Sequence, residues 1–169
     1  MPGGDQFARF YPGLVPEEER LWRKFLREHE LEYDEFLYNV RVGEGINIEK
    51  RPLTDDPELD RKLRQQFREA TQKRIDVLGV RLGELWIFEV EVRPGTQALG
   101  QLVFYRGLLP RMPEIIARRG EPPNESEARL LALLRPQIPP TTLAVVSERM
   151  GFDNRAVFEG AGVRIFLFP

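Results

Sequence analysis

Hydrophobic residues recur along the chain with two periods, and the change from one to the other marks out its elements. From Pro16 to Glu30 the apolar positions Leu21, Trp22, Phe25 and Leu26 fall on one helical stripe. Pro16 and Glu17 to Glu19 suit the positive end of that helix. Phe36 to Val42 alternates and predicts a first strand, and Pro57 to about Lys73 returns to the helical period with Leu59, Leu63, Phe67 and Ala70. Between them Gly43-Glu44-Gly45 and two prolines predict an excursion or flap over 43–57. Residues 85–92, Leu-Trp-Ile-Phe-Glu-Val-Glu-Val, are dense in β-branched and aromatic types and end at Pro94-Gly95. Together with 74–81 they predict an antiparallel hairpin turning at Leu82-Gly83.

A helix follows from Thr96 to Leu109, bounded by Pro110, with Leu99, Leu102, Val103 and Phe104 as its expected buried stripe. After a loop from Gly120 to Asn124, Ser126 is positioned to cap a helix running to about Arg135, which Pro136 and Pro139-Pro140 end. The C-terminal part reads strand (Thr142 to Val146), short helix (Asn154 to Gly160) and strand (Val163 to Phe168). A strand–helix–strand unit added to a meander gives the expected fold class: α/β (α+β), a central mixed sheet flanked by helices, as one domain over 1–169.

The hairpin register carries the chemistry. It sets Asp76 opposite Glu89 and Arg74 opposite Glu91, and the period of two places all four on one face. On that face Leu85 and Ile87 give way to Glu89, Glu91 and Arg93, the change expected where a sheet opens into a cleft. Carboxylates directly across a ladder repel unless a cation or proton neutralises them, so the pair calls for a positive partner. One solution is an ion-pair ladder in which Arg74 answers Glu91; the other is a divalent metal. The helix after the hairpin places Gln101 and Tyr105 four apart, on one surface near the acids.

Asp76, Glu89-Val90-Glu91 and Gly100-Gln101-Leu102-Val103-Phe104-Tyr105, in this order and spacing, resemble the PD-(D/E)XK nuclease superfamily, in particular its RecB-like branch with a Gln-x-x-x-Tyr motif. The resemblance covers about residues 74–106. It implies a restriction-endonuclease-like fold, Asp76 and Glu89 as ligands of Mg²⁺ or Mn²⁺, and Gln101 and Tyr105 as the helical pair that contacts the substrate or supports the site. Glu91 occupies the position of the family's lysine, where it would act as a base or a further metal ligand. A first helix in this family often donates another acid, and Glu18, Glu28 and Glu30 are all available.

The implied activity is hydrolysis of DNA phosphodiesters, with Arg93, Gln101, Tyr105 and Arg106 toward the nucleic acid. Hard carboxylate oxygens suit Mg²⁺ or Mn²⁺. Glu91 in place of lysine keeps a second function open, a catalytically silent relative that binds nucleic acid or serves as an assembly subunit, homo-oligomers included. Use of the carboxylates as general acid and base on a small molecule is a third, for which no other motif speaks.

Composition narrows these readings. No cysteine is present, which excludes disulfides, thiol nucleophiles, zinc knuckles and a cysteine-held iron–sulfur cluster. Net charge is −2, so a nucleic-acid surface has to be local, and Arg106, Arg111, Arg118 and Arg119 are its candidates. Lysine supplies only four of the 25 basic residues, a bias that with the many prolines points to a thermophilic or GC-rich source. Neither a membrane-spanning run nor a secretory signal pattern is seen, and a cytoplasmic location is the expectation. His29, the single histidine, lies near a helix end, where packing explains it better than catalysis.

Overall fold

The structure is a computed structural model and describes residues 10–46 and 52–169. Strands β1 (Glu35–Val42), β2 (Lys73–Arg81) and β3 (Glu84–Val90) form an antiparallel meander, and β4 (Thr141–Ser147) and β5 (Arg164–Leu167) add to β3 in parallel. The order is β1-β2-β3-β4-β5, a mixed five-stranded sheet flanked by helices, as the alternation of elements in the sequence predicts. The β2–β3 turn is Leu82-Gly83, with φ of 49° and 76°. Two left-handed residues match the twist of the flanking strands and fix the hairpin register.

Helix α1 (Pro16–His29) covers one sheet face. Its stripe, Leu21, Trp22, Phe25 and Leu26, is fully or nearly buried against Val77, Trp86, Phe88, Val90, Ala144 and Val146. Removing each such side chain from water contributes about 1.5–3 kcal/mol, which makes α1 a principal anchor of the sheet. Trp22 and Phe25 both meet Phe88 edge-on, with centroids 5.3 and 5.1 Å apart. His29 stacks on Phe25, the packed histidine expected, and sets Nδ1 2.7 Å from Glu32 Oε1.

The opposite face carries α3 (Thr96–Leu108), α4 (Met112–Arg119), α5 (Glu125–Leu133) and α6 (Phe152–Gly160) over Leu37, Leu78, Leu85, Ile87, Leu143 and Val145. Helix α4 is not foreseen from the pattern, because Pro110 and Pro113 read as breakers. Both lie in first turns, where the missing N–H costs nothing. The cap of α5 is Asn124, not Ser126: its side chain accepts the Glu127 N–H at 2.9 Å, and Glu127 accepts the Asn124 N–H in return. In α3 the buried positions are Ala98, Leu102 and Tyr105, and the expected stripe members Val103 and Phe104 are exposed.

Helix α2 (Pro57–Thr71) forms where expected but docks the other way round. Leu59, Leu63 and Phe67 face outward, and the one buried residue is Arg68. Polar bonds hold this helix: Glu69 to Arg41 of β1 at 2.9 Å, Arg68 to Glu121 at 2.9 Å, and Gln72, just beyond its end, to the Gly43 carbonyl at 2.8 Å. Of the flap expected over 43–57, residues 47–51 lie outside the described residues. Its described flanks are tied to α2, through the Ile46 N–H on Thr71 Oγ1 and the Leu53 N–H on Asp60 Oδ1.

Candidate active site

The β2–β3 ladder runs from Arg81↔Glu84 to Val77↔Phe88 and stops there. One step further, in the same register, stand Asp76 and Glu89. Here β3 keeps β4 as its neighbour, Glu89 beside Val145 and Val90 beside Val146. The Val90 N–H is taken instead by the Asp76 carboxylate, whose Oδ2 accepts it at 3.1 Å. The two strands thus part where the acids lie, and a carboxylate enters the gap. The expected pairing of Arg74 with Glu91 does not form, because the ladder ends before it and Arg74 bridges Arg41 of β1 instead.

Glu89 is 8% exposed, and its Oε2 is buried without a hydrogen-bond partner. Burial pushes its carboxyl up to about 9, and the charges of Asp76, Glu91 and Glu18 add to the rise. Burial also lifts Asp76 to about 6, against the lowering pull of the Val90 N–H and with Glu18 and Glu91 raising it further. Glu91 is raised by burial and by Glu18. Among the described residues no arginine or lysine forms an ion pair with any of these four acids. The ion-paired ladder set out above is therefore not the arrangement formed.

Sequence alone leaves the contributor from the first helix open between Glu18, Glu28 and Glu30; Glu18 is the one whose charge acts on the cluster. Its position follows from the start of α1, where its Oε2 accepts the Val15 N–H at 2.9 Å. Glu91 is held through its backbone, its N–H donating to the Val146 carbonyl at 3.0 Å. Ser147 Oγ, 3.0 Å from the Val92 carbonyl, secures the next turn of chain. These bonds fix the segment leaving β3, and with it the direction of Glu91.

Tyr105 supports β2. Its ring is buried, its hydroxyl donates to the Arg74 carbonyl at 2.6 Å, and burial together with Glu89 and Asp76 lifts its phenol to about 12. That hydroxyl is committed to the strand bearing Asp76, so the ring is not displayed for stacking on a base. Gln101, one turn earlier, is half-buried, and Arg93 and Arg106 are exposed with no ion pair among the described residues. Of the other candidate phosphate contacts, Arg111 and Arg118 share Glu114, and Arg119 is closed in a buried pair with Glu127 at 2.6 Å. Arg119 therefore leaves the list of nucleic-acid contacts.

The donor set fits a hard divalent cation. A buried carboxylate oxygen without a donor, next to a second carboxylate and, among the described residues, with no ion-pair partner, is what a metal would satisfy. Among the described residues no three His, Cys, Asp or Glu side chains are grouped to hold a metal between them. A metal held here would have the Asp76–Glu89 pair as its protein ligands and would need water or substrate oxygens for its remaining positions. Among the described residues no helix is long and apolar enough to cross a membrane. Compared with known proteins, the chain matches no family model, no curated protein and no solved structure.

Proposed function

We propose that the protein is a metal-dependent nuclease of the PD-(D/E)XK type that hydrolyses phosphodiester bonds in DNA, with Asp76 and Glu89 as ligands of Mg²⁺ or Mn²⁺. The observation that carries the reading is Glu89 Oε2, buried and unpartnered beside a second raised carboxylate at the point where β2 and β3 part. A protein seldom retains such an arrangement without a use for it, because an unsatisfied buried carboxylate lowers stability. Bound there, Mg²⁺ or Mn²⁺ would polarise the phosphoryl oxygen and lower the pKa of a coordinated water.

The chain's own residues supply the rest. Glu91, raised above an ordinary glutamate and only partly buried, is suited to take a proton from the attacking water, the role that the lysine position would otherwise serve. Arg93 leaves the site two residues after Glu91, and Arg106 follows Tyr105; both are exposed and free to meet phosphates. Tyr105 holds β2 in place, and Gln101 presents a half-exposed amide one turn away.

A second reading rests on Glu91 itself. With a carboxylate where a lysine would stand, and a net charge of −2, the same scaffold suits a silent relative that binds nucleic acid or assembles with other subunits. Labelled single- and double-stranded DNA incubated with Mg²⁺ or Mn²⁺ separates the two. The nuclease reading expects cleavage that disappears in Asp76→Ala/Glu89→Ala; cleavage surviving that double change removes these residues from the reaction. Salt-sensitive DNA binding without metal and without turnover speaks for the silent relative.

A further inference from the structure

Among the described residues, two that are not glycine have a positive φ. Leu82 belongs to the hairpin turn, which requires it. Asn39, at φ 51°, lies in the middle of β1, where no turn calls for a left-handed residue. Asparagine tolerates this conformation better than other side-chain-bearing residues, and in mid-strand it still opposes the pleat.

The consequence for the sheet can be read from the register. Tyr38 pairs with Val77 and Val40 with Ile75, while Asn39 and Asp76, which face one another between them, form the pair that the ladder skips. Leu37 and Leu78 face each other in the core under α3 to α6. Strict alternation would send Val40 and Ile75, three positions along, to the opposite face. Both lie in the same core as Leu37 and Leu78. The side-chain alternation of both strands therefore inverts within the single pair Asn39–Asp76, and the β2–β3 ladder ends beside it. The Asn39 side chain lies close against Gly13, where a Cβ would come within 3.0 Å of its Oδ1 and 3.1 Å of its Cβ.

We propose that Asn39 is a positioning residue: its left-handed backbone inverts β1 opposite Asp76, turns β2 away from β3 at that point, and so aims the Asp76 carboxylate into the gap beside Val90 and Glu89. The proposal rests on the metal-site reading for its use and on the strand geometry for its mechanism. Backbone handedness is the active property, so glycine can replace asparagine and a β-branched residue cannot.

The test compares Asn39→Gly and Asn39→Val in the full chain by two measurements, Mn²⁺ binding by titration calorimetry and the NMR shift and exchange rate of the Val90 amide, whose N–H Asp76 accepts. Asn39→Gly is expected to bind Mn²⁺ within about threefold of the parent and to leave the Val90 amide in place. Asn39→Val is expected to fold, to bind Mn²⁺ at least about tenfold more weakly and to shift Val90, as loss of a support behind a metal ligand does. Should valine prevent folding, Asn39→Ala makes the same comparison, since alanine also resists the left-handed region. Equal binding and an unmoved Val90 amide in folded Asn39→Val or Asn39→Ala would overturn the proposal, as would equal weakening in Asn39→Gly. A parent protein that binds no Mn²⁺ refutes the metal reading, and the Val90 amide then still decides whether Asn39 aims Asp76.

Discussion

Glu127 and Glu89 are 3% and 8% exposed, and the protein treats them in opposite ways. Glu127 lies against Arg119 at 2.6 Å and also closes the capping box of α5, so its charge is answered and its oxygens are used. Among the described residues Glu89 pairs with no cation, leaves Oε2 without a donor, and has three further acids, Asp76, Glu91 and Glu18, acting on it. The first arrangement holds α4 to α5. The second leaves a buried acid without an ion pair among the described residues, held against ionisation by its burial and its acidic neighbours, and on the proposed reading a divalent cation would be its partner. Burial of a carboxylate is thus no sign of function by itself; the absence of an internal answer is the informative part.

The largest effect that can break this comparison belongs to Glu127. Glu127→Ala leaves Arg119 buried and uncompensated and is expected to lower stability by about 3–5 kcal/mol in urea unfolding. A loss below about 1 kcal/mol would show the pair to be incidental. Glu89→Gln should act with the opposite sign: without metal at pH 8 it is expected to raise stability by about 1–3 kcal/mol, since a buried acid that resists ionisation is removed. Destabilisation by that change would mean that Glu89 is answered after all.

The pH dependence sharpens the same contrast. The carboxyls of Asp76 and Glu89 stand at about 6 and about 9 in the folded chain, above their ordinary values near 4. The folded state therefore holds protons that the unfolded state has released, and the metal-free protein loses stability as pH rises from about 4 through about 9. Unfolding midpoints in EDTA should fall across that window, and the fall should be much reduced in Asp76→Asn/Glu89→Gln. A midpoint rising across the window would reverse the assigned shifts. Saturating Mn²⁺ should offset the fall, by about 2.7 kcal/mol at a hundred times its dissociation constant, and more effectively at pH 8 than at pH 5, because binding displaces protons. The smallest effect serves as a control: breaking the exposed Glu58–Lys62 pair on α2 is expected to change stability by less than about 0.5 kcal/mol, with or without metal.

How far the sequence was legible follows from where its local rules apply. The Leu82-Gly83 turn fixes the register, and from it come the hairpin from Arg81↔Glu84 to Val77↔Phe88 and the change from Ile87 to Glu89 along β3; Asp76 lies just beyond the ladder's end, bonded to the Val90 N–H. The mixed sheet follows from the order of elements. What escaped is set by tertiary choice. Helices α1 and α2 carry equally clear stripes, yet α1 buries Trp22 and Phe25 while α2 leaves Leu63 and Phe67 partly exposed and is held through Arg68, Glu69 and Gln72 on Glu121, Arg41 and the Gly43 carbonyl. Periodicity marks an apolar face without saying which face docks. Arg119 looked like a surface charge because its partner Glu127 is eight residues away across a loop. The ladder's early end was hidden in the same way: Phe36 to Val42 reads as an ordinary strand, and the one local sign of its inversion is an asparagine at position 39.

The most direct test is anomalous scattering from crystals soaked in Mn²⁺ at pH 8. The account predicts one peak between the carboxylates of Asp76 and Glu89, within coordination distance of Glu89 Oε2, and its loss in Glu89→Gln. Fully occupied Mn²⁺ elsewhere with nothing between these two acids, or an arginine side chain filling the space, would contradict it.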